Sequence, residues 1–434
     1  MRRRKDKDMY LDYGKPYLYT RRRRDSRITG VIAVVILSVL IGIGTYYAVL
    51  IGSGINNRTD KLQDTAENNN EDSQAEITPA VTVAPVNENA AVPEPVEEID
   101  TRAPVKAKGL YITSRAIMDK RDEIMDIIDS TVINSLVIDV KDDNGRITFM
   151  MDSPMAKEIG SVTNTISDID ELMKLLEEKN IYPIARIVAF KDPYLAEKRH
   201  DLAIKNKDGS IYRDTNGECW VNPYEKEVWD YLIEVSTKAA EAGFKEIQFD
   251  YIRFSTGKGM SNVDFGPLAS VKTKEDIIIE FTKYAYENLK PLGVFVSADV
   301  YGTIISSSLD ASLVGQNYVE MARYLDYICP MIYPSHFADG NYGIAHPDLD
   351  PFNLVRRVLK ASRSKLDQIP EGEHRAIVRP WLQDFTATWI DYYQVYGPRQ
   401  VRDQITGVYI AGYSEWLLWN ASCNYTVEAL HIVE

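Results

Sequence analysis

The chain has 434 residues, with 50 Lys or Arg against 64 Asp or Glu, a formal net charge of −14. The charge is uneven: residues 1–27 carry eleven basic and four acidic side chains, leaving 39 basic against 60 acidic beyond them. An acidic body cannot neutralise phosphates, which excludes nucleic acid as its partner, and three scattered cysteines with five histidines give neither a disulfide framework nor a zinc spacing.

Residues 1–27 form a basic tail with arginines at 21–24, and Ile28 to Ile51 follow without a charge. That length spans a bilayer with some tilt, and the basic flank stays in the cytoplasm. A cleaved signal peptide would have a shorter apolar stretch and a small-residue cleavage site. The expectation is a single-pass membrane anchor at 28–51, with the cytoplasmic membrane as a partner and everything after it extracytoplasmic. Residues 52–107 lack aromatic residues and are rich in Asn, Glu, Pro, Ala and Thr. Such a stretch cannot bury enough apolar surface to order itself, so it reads as a disordered acidic, Pro-rich linker.

From Lys108 apolar strands alternate with amphipathic helical patterns. The strands are KGLYIT (108–113), SLVIDV (135–140), YPIARIVAF (182–190), EIQFDYIRF (246–254), GVFVSADV (293–300), YICPMIYP (327–334), AIVRPWLQDF (376–385) and YSEWLLWN (413–420). Helices are expected over 119–130, 168–179, 223–242 and 273–290, and AIKNKDGSIYRD (203–214) reads as a hairpin turning at Asp208-Gly209. Eight such units over 108–434 predict an α/β fold, a (β/α)8 TIM barrel. A doubly wound sheet is the alternative, but no G-x-G-x-x-G follows the first strand. Cys219, Cys329 and Cys423 are expected as buried thiols, and no metal or cofactor is implied.

Barrel enzymes place their chemistry at the C-terminal ends of the strands. Those ends carry Asp139, Lys141 and Asp142; Arg186; Asp250, Tyr251 and Arg253; Asp299; Tyr333; Trp381 and Asp384; and Trp419 with Asn420. Alternation puts Gln248 and Asp250 on one strand face and Phe249 and Tyr251 on the other. Glycoside hydrolysis needs two carboxyl groups, one protonating the leaving oxygen and one acting as nucleophile or base. Asp250 is assigned the second role and Asp299 the first, with Asp139, Arg186 and Asp384 orienting them. Trp381 and Trp419 are candidate sugar platforms, although either also suits the barrel core. Arg186 serves equally as an ion-pair partner of Asp139 or Asp250. A non-catalytic glycan-binding or scaffold barrel is the rival reading.

The motifs KGLYIT, LVIDVKDDNGRITF, YPIARIVAFKDPYLAEKR, CWVNPYEKEVWDY, EIQFDYIRF, VSADVYG, YICPMIYPSHF and VRPWLQDF resemble, from Lys108 to Ala429, the glycoside hydrolase domain family of bacterial envelope proteins. That resemblance implies a TIM-barrel glycosidase acting on a cell-envelope or extracellular glycan. A remoter likeness is to α-amylase-like barrels, whose strands 4, 5 and 7 end in nucleophile, acid/base and stabiliser. Asp250, Asp299 and Asp384 fall on those strands, but Asp299 stands where Glu is usual and Gln248 where strand 4 carries an Arg. Glu415 stands where a Gly is expected before the W-x-L-W-N run; it reads either as an added acid in the site or as the partner of a charge beneath it, and its depth favours the structural role.

The charge asymmetry predicts that protease added to intact cells removes the C-terminal domain. A domain protected until the cells are lysed contradicts that orientation.

Overall fold

A computed structural model describes Asp100 and residues 102–431. The expected tail, the expected span at 28–51 and most of the expected linker lie outside the described residues. Among the described residues, no helix is long and apolar enough to cross a membrane.

Eight parallel strands close a barrel: β1 Lys108–Ile112, β2 Ser135–Lys141, β3 Tyr182–Val188, β4 Glu246–Asp250, β5 Phe295–Tyr301 and β6 Tyr327–Ile332, then β7 in two pieces, Ile377–Val378 and Trp381–Gln383, and β8 Trp416–Trp419. Each pairs with the next, β8 pairs with β1, and β7 joins β6 to β8. The break in β7 falls at Arg379-Pro380, where Pro380 has no amide hydrogen to give a ladder. Phe249 points outward onto Phe281 of the helix Lys274–Leu289, with ring centroids 5.3 Å apart, while Gln248 and Asp250 point inward.

Helix starts follow local chemistry. Asp168 caps Ile169–Glu178 by accepting from the Glu171 amide, and Thr273 with Asp276 forms a capping box for Lys274–Leu289. The helix expected from Pro223 begins at Lys226 instead, because Asn222 first closes a turn through the Tyr224 and Glu225 amides. After β8 the described chain has a 3-10 turn, Val427–Ala429, in place of a helix. The hairpin at 203–214 forms, with Gly209 at φ +84° in its turn, and Lys205–Asn206 also pairs with Val263–Asp264 in the loop after β4. The loops after β3 and β4 are thereby stitched together.

The folded body starts earlier than the expected boundary at Lys108. Arg102 makes a two-pronged ion pair with Asp326 and donates to the Val294 carbonyl, and Ala107 is fully buried. All three cysteines are free and buried, as expected.

The floor of the barrel is ionic. Arg379, fully buried, donates to both Glu246 oxygens at 2.9 Å and to Glu415 at 2.9 Å. Its guanidinium lies 3.7 Å from the Tyr327 ring centroid, and the Tyr182 hydroxyl donates to Glu246. Glu415 thus has the structural role that its depth suggested. Arg379→Met leaves two buried carboxylates without a cation, and such a loss costs about 3–5 kcal/mol. Denaturant unfolding of wild type and variant measures it; a difference below about 1 kcal/mol contradicts this account of the floor.

Candidate active site

Above the floor, alternation carries a second set of polar side chains inward at the C-terminal ends. Arg186 stands in register with Asp139 on β2 and Gln248 on β4. Its guanidinium is fully buried and shared. It donates to Asp139 at 2.7 Å, to Asp143 at 3.2 and 3.4 Å, and to Asp250 at 2.9 and 2.6 Å. The Tyr111 hydroxyl holds the other Asp139 oxygen at 2.7 Å. Asp299, on β5, accepts from the Trp381 indole at 2.6 Å. The rings of Tyr111 and Trp419 stack at 4.0 Å beside Arg186, and Trp381 meets Trp419 edge-on.

Three carboxyl groups therefore share one guanidinium, and a fourth, Asp299, is held by Trp381. The nearest lysines are committed elsewhere: Lys141 pairs with Asp192 at 2.8 Å and Lys191 with Glu218 at 2.9 Å. With Arg186 as their shared hydrogen-bonded cation, these buried acids differ in how readily they ionise. Burial pushes the Asp139 carboxyl up to about 7, against the pull of Arg186. Burial, then the charge of Asp250, pushes Asp299 well above the usual carboxylate range. At Asp143 the upward push of burial is outweighed by Arg186 and Lys191, and its carboxyl sits below that range.

Strand β4 ends at Asp250 rather than running to Phe254. Tyr251 turns into the left-handed region at φ 49°, a conformation that costs a bulky residue about 1–3 kcal/mol. The turn is held by the Tyr251 amide donating to Asp250 Oδ1 at 2.6 Å and by Ala189 and Phe190 amides donating to the Asp250 and Tyr251 carbonyls. Tyr251 is buried against Trp220, and Arg253 lies over Trp220, Tyr251 and Tyr301 at 4.9–5.0 Å. Tyr333 is buried at the end of β6, raised well above the usual phenol range by burial and then by Asp299 and Asp250.

Other expected site residues are placed differently. Asp142 closes its own loop, its Oδ1 accepting from the Asn144 and Arg146 amides, and its neighbour Asp143 is the one that reaches Arg186. Gly145 permits this loop: its φ is +75°, and a Cβ there would sit 1.9 Å from Asp192 Oδ1. Lys141 is fully buried behind the acids, bound to Asp192 and the Val188 carbonyl. Both Asp384 oxygens are taken by the Thr426 amide and hydroxyl, at 2.8 and 2.7 Å. Asn420 donates to the Asp384 and Asn424 carbonyls. Asp384 and Asn420 thus tie down the C-terminal segment, and the orienting role expected of Asp384 is not the one its contacts give it. Sequence reasoning missed Asp143 and Tyr111. Asn-Gly after Asp142 was a turn signal that assigns Asp142 to the turn, and alternation in KGLYIT sets Tyr111 inward.

A parallel (β/α)8 barrel with buried carboxyl groups converging at its C-terminal mouth is an architecture that glycosidases use. The sequence model of the family described as "Putative glycosyl hydrolase domain" matches residues 109–425, and the chain belongs to this family. Its fold is of the TIM-barrel type. The glycoside hydrolase domain of PgaB (BpsB) from Bordetella bronchiseptica superposes with a TM-score of 0.53 at 12% identity, over 76% of this chain and all of that one. That likeness shows the fold. A hypothetical protein from Ruminiclostridium thermocellum is 39% identical over 44% of this chain and 97% of its own, with a TM-score of 0.41. No curated protein resembles the chain closely enough to match.

The raised carboxyl of Asp139 has a signed consequence. In the fold it keeps a proton between about pH 4 and 7 that the unfolded chain has lost, so its contribution to stability is full below that window and lost across it. Asp139→Asn should flatten the fall in melting temperature over that interval. Equal slopes in wild type and variant contradict the assignment.

Proposed function

We propose that the domain hydrolyses glycosidic bonds of a cell-envelope or extracellular glycan with Asp299 as general acid and Asp250 as nucleophile or base. The observation that carries this reading is the division of charge around Arg186. Asp250 takes two hydrogen bonds from the Arg186 guanidinium, while Asp299 has no cationic partner among its hydrogen bonds and burial pushes its carboxyl well above the usual carboxylate range. A protonated carboxyl donates to the leaving glycosidic oxygen, and the carboxylate attacks the anomeric carbon or activates a water. Asp139, Asp143 and Arg186 hold Asp250 in place, and the walls of Tyr111, Trp381 and Trp419 exclude water. The +7 tail ahead of the uncharged stretch 28–51 supports an anchored, extracytoplasmic position for the domain.

A second reading has its own observation. Both Asp250 oxygens are engaged, Oδ2 by Arg186 and Oδ1 by the Tyr251 amide, as in a barrel that binds glycans without cutting them. Asp250→Asn separates the two. In the enzyme it lowers turnover by about a thousandfold or more with the protein folded. Asp299→Asn should spare substrates with good leaving groups, which need little protonation. Wild-type turnover in a well-folded Asp250→Asn ends the catalytic assignment.

A further inference from the structure

Among the described residues, large exposed aromatic rings gather in the loop that follows β7. Trp389 is 41% exposed, Tyr392 52% and Tyr393 43%. Two of them are backed by other rings: Trp389 is stacked on Phe385 at 6.0 Å with 18° between planes, and Tyr392 on His346 at 3.7 Å with 26°. Stacking fixes their orientation, so they meet a ligand with little conformational entropy left to lose.

The loop itself is pinned. Asp348, buried in the loop after β6, accepts from the Gln394 amide at 3.0 Å and from the Gln383 side chain at 3.1 Å, and its carbonyl accepts from the Gln394 side chain and the Tyr396 hydroxyl. The stacked rings also lead inward. Phe385 meets Tyr333 edge-on at 5.8 Å, and Tyr333 lies within electrostatic reach of the Asp299 and Asp250 carboxyl groups. An aromatic line thus runs from the acids to solvent through Tyr333, Phe385 and Trp389.

The charge of these two loops selects the ligand. Residues 333–350 and 381–397 hold no Lys or Arg; of their aspartates Asp339 and Asp391 are exposed and Asp350 half-buried, while Asp348 and Asp384 are buried. Flat rings on an acidic rim suit the apolar faces of sugar rings that carry no negative charge, and repel a uronate or phosphate polymer. We propose that Trp389, Tyr392 and Tyr393 form an outer platform that binds a long glycan chain without negative charge and feeds it along Phe385 to the acids. This deepens the hydrolase reading and rests on it for the direction of feeding.

The test is binding of the full-length protein to hydroxyethyl cellulose, glycol chitin, mannan and polygalacturonate, each cast into a native gel, beside turnover on the same preparations. Wild type should be retarded by at least one of the three uncharged polymers and not by polygalacturonate. Trp389→Ala with Tyr392→Ala should weaken that retardation at least about tenfold, and Trp389→Phe should restore most of it, with melting temperatures confirming that each variant is folded. Retardation by polygalacturonate alone, retardation by none, or a folded double variant that binds as wild type overturns the proposal. An inactive wild type that is still retarded sinks the hydrolase reading and leaves the platform. An active one whose double variant binds and cuts polymer like wild type does the reverse.

Discussion

The structure turns on one guanidinium placed among too many carboxyl groups. Arg186 is sealed inside the barrel with Asp139, Asp143 and Asp250 on it and Asp299 nearby, while Lys141 and Lys191 make their own ion pairs with Asp192 and Glu218. Burying such a set is expensive unless every charge is paired or neutralised by a proton. The fold meets that demand unevenly, and the unevenness makes the two key acids different. Asp250 receives the cation, and Asp299 receives an indole N–H while burial and Asp250 push its carboxyl well above the usual range.

The floor allows the mouth to be built this way. Arg379 below binds Glu246 and Glu415, so the barrel carries one charged layer that closes it and another that opens to substrate. Both layers draw on the same irregular strand. The break in β7 at Pro380 separates Arg379, which reaches the floor, from Trp381, which reaches Asp299 in the mouth. A change at this break therefore reaches stability and the site together. The turn at Tyr251 does similar work on β4, ending the strand where Asp250 is needed.

Much of this was legible in the sequence because it rests on period-two alternation and on strand ends. The eight strands, the inward set Gln248 and Asp250, and the convergence of Asp139, Arg186, Asp250 and Asp299 follow from local pattern plus barrel closure. Side chains whose partners are distant in sequence were not legible. Asp384 ends a strand like the other acids, but Thr426 claims it from 42 residues away. Asp142 and Asp143 are indistinguishable by composition and are told apart only by which one closes the loop. Arg186 stands on the neighbouring strand at the register of Gln248, a placement visible only once the strands are paired. The aromatic rim at 389–393 was hidden because irregular loops give no period to read.

The central claim is that burial and the neighbouring Asp250 hold the Asp299 carboxyl well above the usual carboxylate range, and infrared spectroscopy of the carboxyl groups tests it most directly. At about pH 8, above the range in which Asp139 titrates, wild type should retain a protonated-carboxyl C=O band that vanishes in Asp299→Asn and persists in Asp139→Asn. Absence of that band in wild type, or its survival in a folded Asp299→Asn, would contradict the account.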